Sequence, residues 1–117
     1  MNDIKLMNKA ADNIRILAAS MVEKAKSGHP GGAMGGADFV NVLFSEFLVY
    51  DPKNPAWEGR DRYFQDPGHM SPMLYSVLAL AGKFTIDELK EFRQWGSVTP
   101  GHPEVNVMRG IENTSGP

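Results

Sequence analysis

Cysteine is absent from the 117 residues, which excludes disulfides, thiolate nucleophiles and thiolate zinc sites from this chain and fits a reducing compartment. Long hydrophobic runs are missing too. The most apolar stretch, Phe39 to Tyr50, is broken by Asn41, Ser45 and Glu46 and is too short to span a bilayer. Residues 1 to 9 mix polar and charged side chains with single hydrophobes and lack the apolar centre of a secretory signal. Neither sign of charge dominates, since 12 Lys and Arg face 14 Asp and Glu for a net charge of -2. No broad basic field therefore exists to recruit nucleic acid or an anionic membrane. The expectation is a soluble cytoplasmic chain. Its length suits one core, which if folded alone would bury about two thirds of the unfolded surface.

What the sequence does contain is three histidines in closely related settings. They lie in Ser27-Gly28-His29-Pro30-Gly31, Asp66-Pro67-Gly68-His69-Met70-Ser71-Pro72 and Thr99-Pro100-Gly101-His102-Pro103-Glu104. Each follows a glycine, which lets the backbone bend so that an imidazole can face a ligand, and imidazole exchanges protons near neutral pH. The intervening stretches are long enough for helices to return all three turns to one face. One Gly-His pair reads as an ordinary turn with a hydrogen-bonded ring; three together point to one pocket. No His-x-x-x-His spacing occurs, so the zinc signature is weak, whereas binding anionic oxygens or moving hydroxyl protons needs no such spacing. Glu104 is placed either to orient His102 or to sit exposed. Arg60 and Arg62 read as strand-flanking salt-bridge or solvated residues rather than phosphate ligands, Arg93 and Arg109 are left undetermined, and all four stay outside the site.

Periodicity organises the rest. Met7, Ala10, Ala11, Ile14, Leu17, Ala18, Met21, Val22 and Ala25 recur at intervals of three and four, predicting a helix from Asp3 to about Lys26, stopped by Gly28 and Pro30. Gly31 to Gly36 lacks the preceding strand and the Gly-Lys-Ser/Thr ending of a phosphate loop, so its small residues imply close backbone approach to a helix or a ligand. A second helix is expected over Ala37 to Leu48, apolar around most of its circumference and therefore deeply buried. A short strand is expected over Arg60 to Gln65 and a helix over Met73 to Ala81. Thr85-Ile86-Asp87-Glu88 has the capping-box pattern for a helix reaching about Phe92. Thr99 to Pro117 reads as an ordered loop or a disordered tail.

The words Ser27-Gly28-His29-Pro30-Gly31, Gly68-His69, Leu74-Tyr75, Phe92-Arg93-Gln94, Thr99-Pro100-Gly101-His102-Pro103-Glu104 and Gly110-Ile111-Glu112 closely resemble transketolase, in order and over nearly the whole chain. The resemblance implies that residues 1–117 form the N-terminal part of the family's thiamine diphosphate binding domain, an α/β domain with a parallel sheet wrapped by helices. As a piece truncated early, it is expected to be mostly α-helical with one short strand and long Gly/Pro-rich loops. Transfer of a two-carbon ketol unit between sugar phosphates, with the cofactor as electron sink, is the implied activity. By motif, His29 would contact substrate and move hydroxyl protons, His69 would lie beside the cofactor diphosphate and reacting carbon, and His102 would bond the donor's ketol oxygens. Gly116 matches a backbone position against the aminopyrimidine. The Asp66-Pro67-Gly68-His69 wording departs from the family's commoner Ser-Asn-Gly-His, and Val98 stands where a basic residue is common.

Absent are the family's Gly-Asp-Gly with its later Asn, which hold diphosphate and a divalent cation (Mg or Ca), and the activating glutamate of a partner subunit. The expected partners are thus the remainder of the transketolase chain or a separately encoded C-terminal half, a homodimer in the complete enzyme, and sugar phosphates. The isolated fragment is expected to be inactive and to bind the cofactor weakly. Two alternatives stand beside this: a non-catalytic assembly module using the Phe39 to Leu48 helix, and another thiamine diphosphate enzyme such as a synthase or decarboxylase.

Overall fold

In the computed structural model, which describes residues 2–116, the first helix is α1, Ile4–Ala25. Its start follows from local chemistry, because the Asp3 carboxylate accepts a hydrogen bond from the Lys5 peptide N–H. It ends at Lys26, which adopts the left-handed conformation; the stop is therefore two residues before Gly28. Ala11, Ile14, Ala18 and Met21 are buried, the other five positions of the expected stripe are half-buried, and Ile4, Leu6 and Ile16 face outward.

The glycine-rich segment is itself a helix, α2, Pro30–Gly35, with His29 at its N-cap and proline opening its first turn. Sequence reasoning missed it because three glycines among its six residues argue against helix. Packing overrides that propensity: Gly32 and Gly36 bring α2 within contact of Met70 and Met73, while Gly31 and Gly35 face open space.

The expected helix from Ala37 to Leu48 is divided into α3, Ala37–Val42, and a π-helical turn, Leu43–Phe47. Its expected deep burial is only half met. Val40 and Phe44 join the core, but Phe39 is 67% exposed and Phe47 71%. The helix buried on every side is instead α4, Ser71–Leu80, in which residues 71 to 78 are all buried. It packs against α1, α2, α3 and α5, Ile86–Leu89, so that solvent reaches it only at its C-terminal end, where Leu80 is exposed. The Thr85/Glu88 capping box forms, although α5 is shorter than expected and continues to Arg93 only as turns.

Among the described residues no strand ladder forms, which corrects the strand expected over Arg60 to Gln65. That segment carries no regular structure, and side chains tie it to residues 112–115. Asn113 accepts from the Gln65 N–H at 3.1 Å and donates to the Gln65 carbonyl at 3.3 Å. Two flanking links join the same segments. The Arg60 guanidinium grips Glu112 through Nε and Nη2 at 2.6 and 3.0 Å, each side chain only 7% exposed, and Ser115 Oγ meets Asp66 Oδ1 at 3.0 Å. The only β feature among the described residues is an isolated bridge between Asn106 and Ile111. The region from Thr99 onward is thus an ordered loop with one 3-10 turn, Val107–Arg109; Pro117, the end of that expected segment, lies outside the described residues. No described helix is long and apolar enough to cross a membrane.

Candidate functional site

His29 emerges where α1 hands over to α2, and His69 lies in a 3-10 turn, Gly68–Met70, that feeds α4. Helix packing brings these turns together, and the two imidazoles face each other with ring centroids 4.7 Å apart and planes inclined by 58°. His29 is exposed and His69 half-buried, so the pair borders solvent.

His102 reaches the same region by a different route. Its loop is held onto the buried helix by two hydroxyls: Ser71 Oγ donates to the Gly101 carbonyl and Tyr75 OH to the Pro100 carbonyl, both at 2.6 Å. Ser71 and Tyr75 are four residues apart on α4 and so share one face. Burial, and secondarily the charge of Glu104, pushes the Tyr75 phenol above its usual pKa, which keeps it a donor. Glu104 makes no hydrogen bond to His102 and is exposed, so the orienting role weighed for it is not what the structure shows.

Gly116 connects the two groups. A Cβ added to Gly68 would lie 2.6 Å from the Ser115 carbonyl oxygen, and one added to Gly116, where φ is 101°, would fall on the His102 imidazole. Only a chain bare at both positions lets residues 115 and 116 pass between the His69 turn and His102. The side-chain links from Arg60, Gln65 and Asp66 to residues 112–115 set that passage. His29, His69, His102 and Gly116 are therefore all brought to one face, with His102 joined through Gly116 and not by a ring contact of its own.

Sequence reasoning left Ser71, Tyr75, Asp66 and Ser115 out of this assembly. The spacing of Ser71 and Tyr75 was a usable signal, since two hydroxyls on one face of an apolar helix need partners when buried. Asp66 and Ser115 carried none, because nothing local in sequence couples positions 49 apart. Arg60 and Arg109 do form ion pairs, with Glu112 and Glu88. Arg62 and Arg93 form none among the described residues, and Arg93 instead reaches Ser27.

An open groove of about 1040 Å³ is lined by Trp95, Val98, Gly101, His102, Glu104 and neighbouring residues. It includes His102 but neither His29 nor His69, so it does not coincide with the place where those two rings meet. Among the described residues no group of three His, Cys, Asp or Glu is arranged to hold a metal ion. A divalent cation therefore does not fit the donors this chain assembles. His69 is half-buried, and the Cβ side of Gly116 is filled by the His102 imidazole.

Residues 6–117 match the family described as "Transketolase, thiamine diphosphate binding domain". Among curated proteins the chain is 52% identical over 113 residues to a transketolase of Buchnera aphidicola, covering 96% of this chain and 17% of that protein. Identity to transketolase 1 of Escherichia coli is 51% over 108 residues, 92% of this chain and 16% of that protein. Among solved structures, transketolase from Leishmania mexicana superposes with a TM-score of 0.90 at 47% identity, over 95% of this chain and 17% of that one. A Pichia stipitis transketolase in complex with sedoheptulose 7-phosphate superposes with a TM-score of 0.90 at 44% identity, over 95% of this chain and 16% of that one. The chain thus spans about a sixth of the length of the relatives it matches.

Proposed function

The chain belongs to the transketolase family, in its thiamine diphosphate binding domain, and from that membership we propose that it supplies one wall of a site transferring a two-carbon ketol unit between sugar phosphates. The observation that carries this reading is the meeting of the His29–His69 pair with Gly116 and His102 on one face. The sugar phosphate found on the Pichia stipitis relative supports the substrate class.

When bound, thiamine diphosphate supplies the electron sink that lets a bond beside a carbonyl break and reform. His29, exposed at the N-cap of α2, is placed to hold and move the proton of a substrate hydroxyl. By the family's motifs His69 would hold the diphosphate side of the cofactor near the reacting carbon, His102 would bond the donor's ketol oxygens, and the Gly116 backbone would meet the aminopyrimidine. The donors for the divalent cation, Mg or Ca, come from outside the described residues, as does the activating glutamate. Their source is the remainder of the chain or a separately encoded C-terminal half, in a homodimer acting in the pentose phosphate pathway of the cytoplasm.

A second reading, a non-catalytic assembly module, draws on the exposure of Phe39 and Phe47. One experiment separates the two. The 117-residue chain is assayed alone and joined to the rest of a transketolase, with xylulose 5-phosphate and ribose 5-phosphate as substrates. The chain alone is expected to show no turnover and weak binding of thiamine diphosphate with magnesium by calorimetry, and the joined protein to turn over. His29→Ala in the joined protein is expected to lower turnover about 10²–10⁴-fold. A folded joined protein without ketol transfer would falsify the catalytic reading and leave the assembly role.

A further inference from the structure

Arg93 sits outside the set of residues above, yet it touches two of the three histidine turns at once. Its backbone takes the left-handed conformation, with φ 61°, which side chains other than glycine seldom adopt. Its peptide N–H donates to the Thr99 carbonyl at 3.0 Å, closing the loop that leads to His102. From that pose the side chain runs back toward α1, where Nη1 donates to Ser27 Oγ at 2.8 Å. Between these ends Nε lies 2.7 Å from the place a Cβ would take on Gly101 and 3.7 Å from the place on Gly28, the residues immediately before His102 and His29. The guanidinium also lies 5.6 Å from the centre of the Phe92 ring, and that ring too lies against Gly28, 3.1 Å from the place of its Cβ.

Ordinary ion pairing does not explain this arrangement. No carboxylate partners Arg93 among the described residues, and its Nε is one of two buried side-chain polar atoms there without a hydrogen-bond partner, the other being Gln65 Nε2. An unmatched buried donor and a left-handed backbone both oppose stability. A shorter apolar side chain would avoid the first. What it would not do is span from the Thr99 loop to Ser27 while filling the space above two bare glycines.

We infer that Arg93 is a positioning residue: its side chain is a spacer that sets how far the His29 turn stands from the His102 turn. Gly116 fixes His102 relative to His69, and the ring contact fixes His69 relative to His29. Arg93 closes this triangle on its third side, through the glycines that precede His29 and His102. The kinetic part of the inference rests on the proposed function, while the structural part does not.

The test uses Arg93→Ala and Ser27→Ala, with imidazole NMR signals of the full 117-residue chain as the first readout. Arg93→Ala is expected to move the signals of His29 and His102 together, and Ser27→Ala those of His29 alone. In the joined protein, Arg93→Ala is expected to raise the KM for the ketose donor about tenfold or more, with thiamine diphosphate affinity changed less than about twofold. Two outcomes overturn the inference. Either the His29 and His102 signals stay in place, or all three histidines shift while donor KM and cofactor affinity worsen equally, as a general loss of structure would produce. Should Arg93→Ala fail to fold, Ser27→Ala decides: an unmoved His29 signal removes the spacer. Absence of turnover in every joined protein refutes the catalytic reading and leaves the NMR result standing.

Discussion

Between α1 and α4 the joint is apolar, drawn from a cluster that includes Ile14, Ala18, Met21, Leu74 and Val77. Between residues 60–66 and 112–115 it is polar, made of the Arg60–Glu112 pair, the Asn113–Gln65 amide links and the Ser115–Asp66 bond. The first kind of joint is strong and non-directional; it sets that two helices pack but tolerates small shifts. The second contributes less but accepts only one register, because each donor has one acceptor in reach. The histidines that depend on helix packing, His29 and His69, meet directly, whereas Gly116 and His102 are placed by directional bonds. A site needing fixed distances uses the apolar layer as a base and polar straps to set the last displacement.

The sharpest way to break this contrast is to weaken the apolar layer alone. Leu74→Ala is expected to cost about 2–5 kcal/mol in urea denaturation, lowering the stability of the chain as a whole. A loss confined to the loops would show that the helices do not carry it.

Removing one strap should act more gently. Tyr75→Phe takes the hydroxyl from the Pro100 carbonyl and is expected to cost about 1 kcal/mol. Hydrogen exchange should quicken around residues 99–102 and stay unchanged in α1. Equal quickening in α1 would mean that layer and straps form one cooperative unit.

The smallest effect concerns pH. Glu88 is held down to a pKa of about 2, first by the Arg109 guanidinium and then by the Thr85 peptide N–H. A carboxyl depressed on folding contributes stability above its ordinary value of 4.5, and that contribution disappears as pH falls toward 2. Denaturation midpoints measured from pH 5 to pH 2 should fall less steeply for Glu88→Gln than for the unaltered chain. Identical slopes would place the acid sensitivity elsewhere.

Legibility followed the same division. The stripe of α1 and the Thr85/Glu88 capping box could be read because they involve residues within four positions of each other. The His-bearing turns could be read for the same reason. Which apolar helix is buried was only partly legible: the Ala37 to Phe47 segment carries Asp38, Asn41 and Glu46 whereas α4 has no charged residue, but the helices that cover α4 are fixed only by tertiary packing. The segment at 60–65 carries a strand pattern, yet its partner on one side is an asparagine side chain, which no periodicity announces.

The sequence by itself determined the local chemistry: the absence of thiols, the helix signals, and three imidazoles set in glycine turns within words shared with transketolase. Tertiary structure alone decided that His29 faces His69, that Gly116 lies against His102, and that Arg93 and Ser27 meet across 66 residues of chain. The reason is physical. Turn and capping preferences arise from atoms a few bonds apart, whereas contacts between distant turns exist only after burial has closed the loops between them.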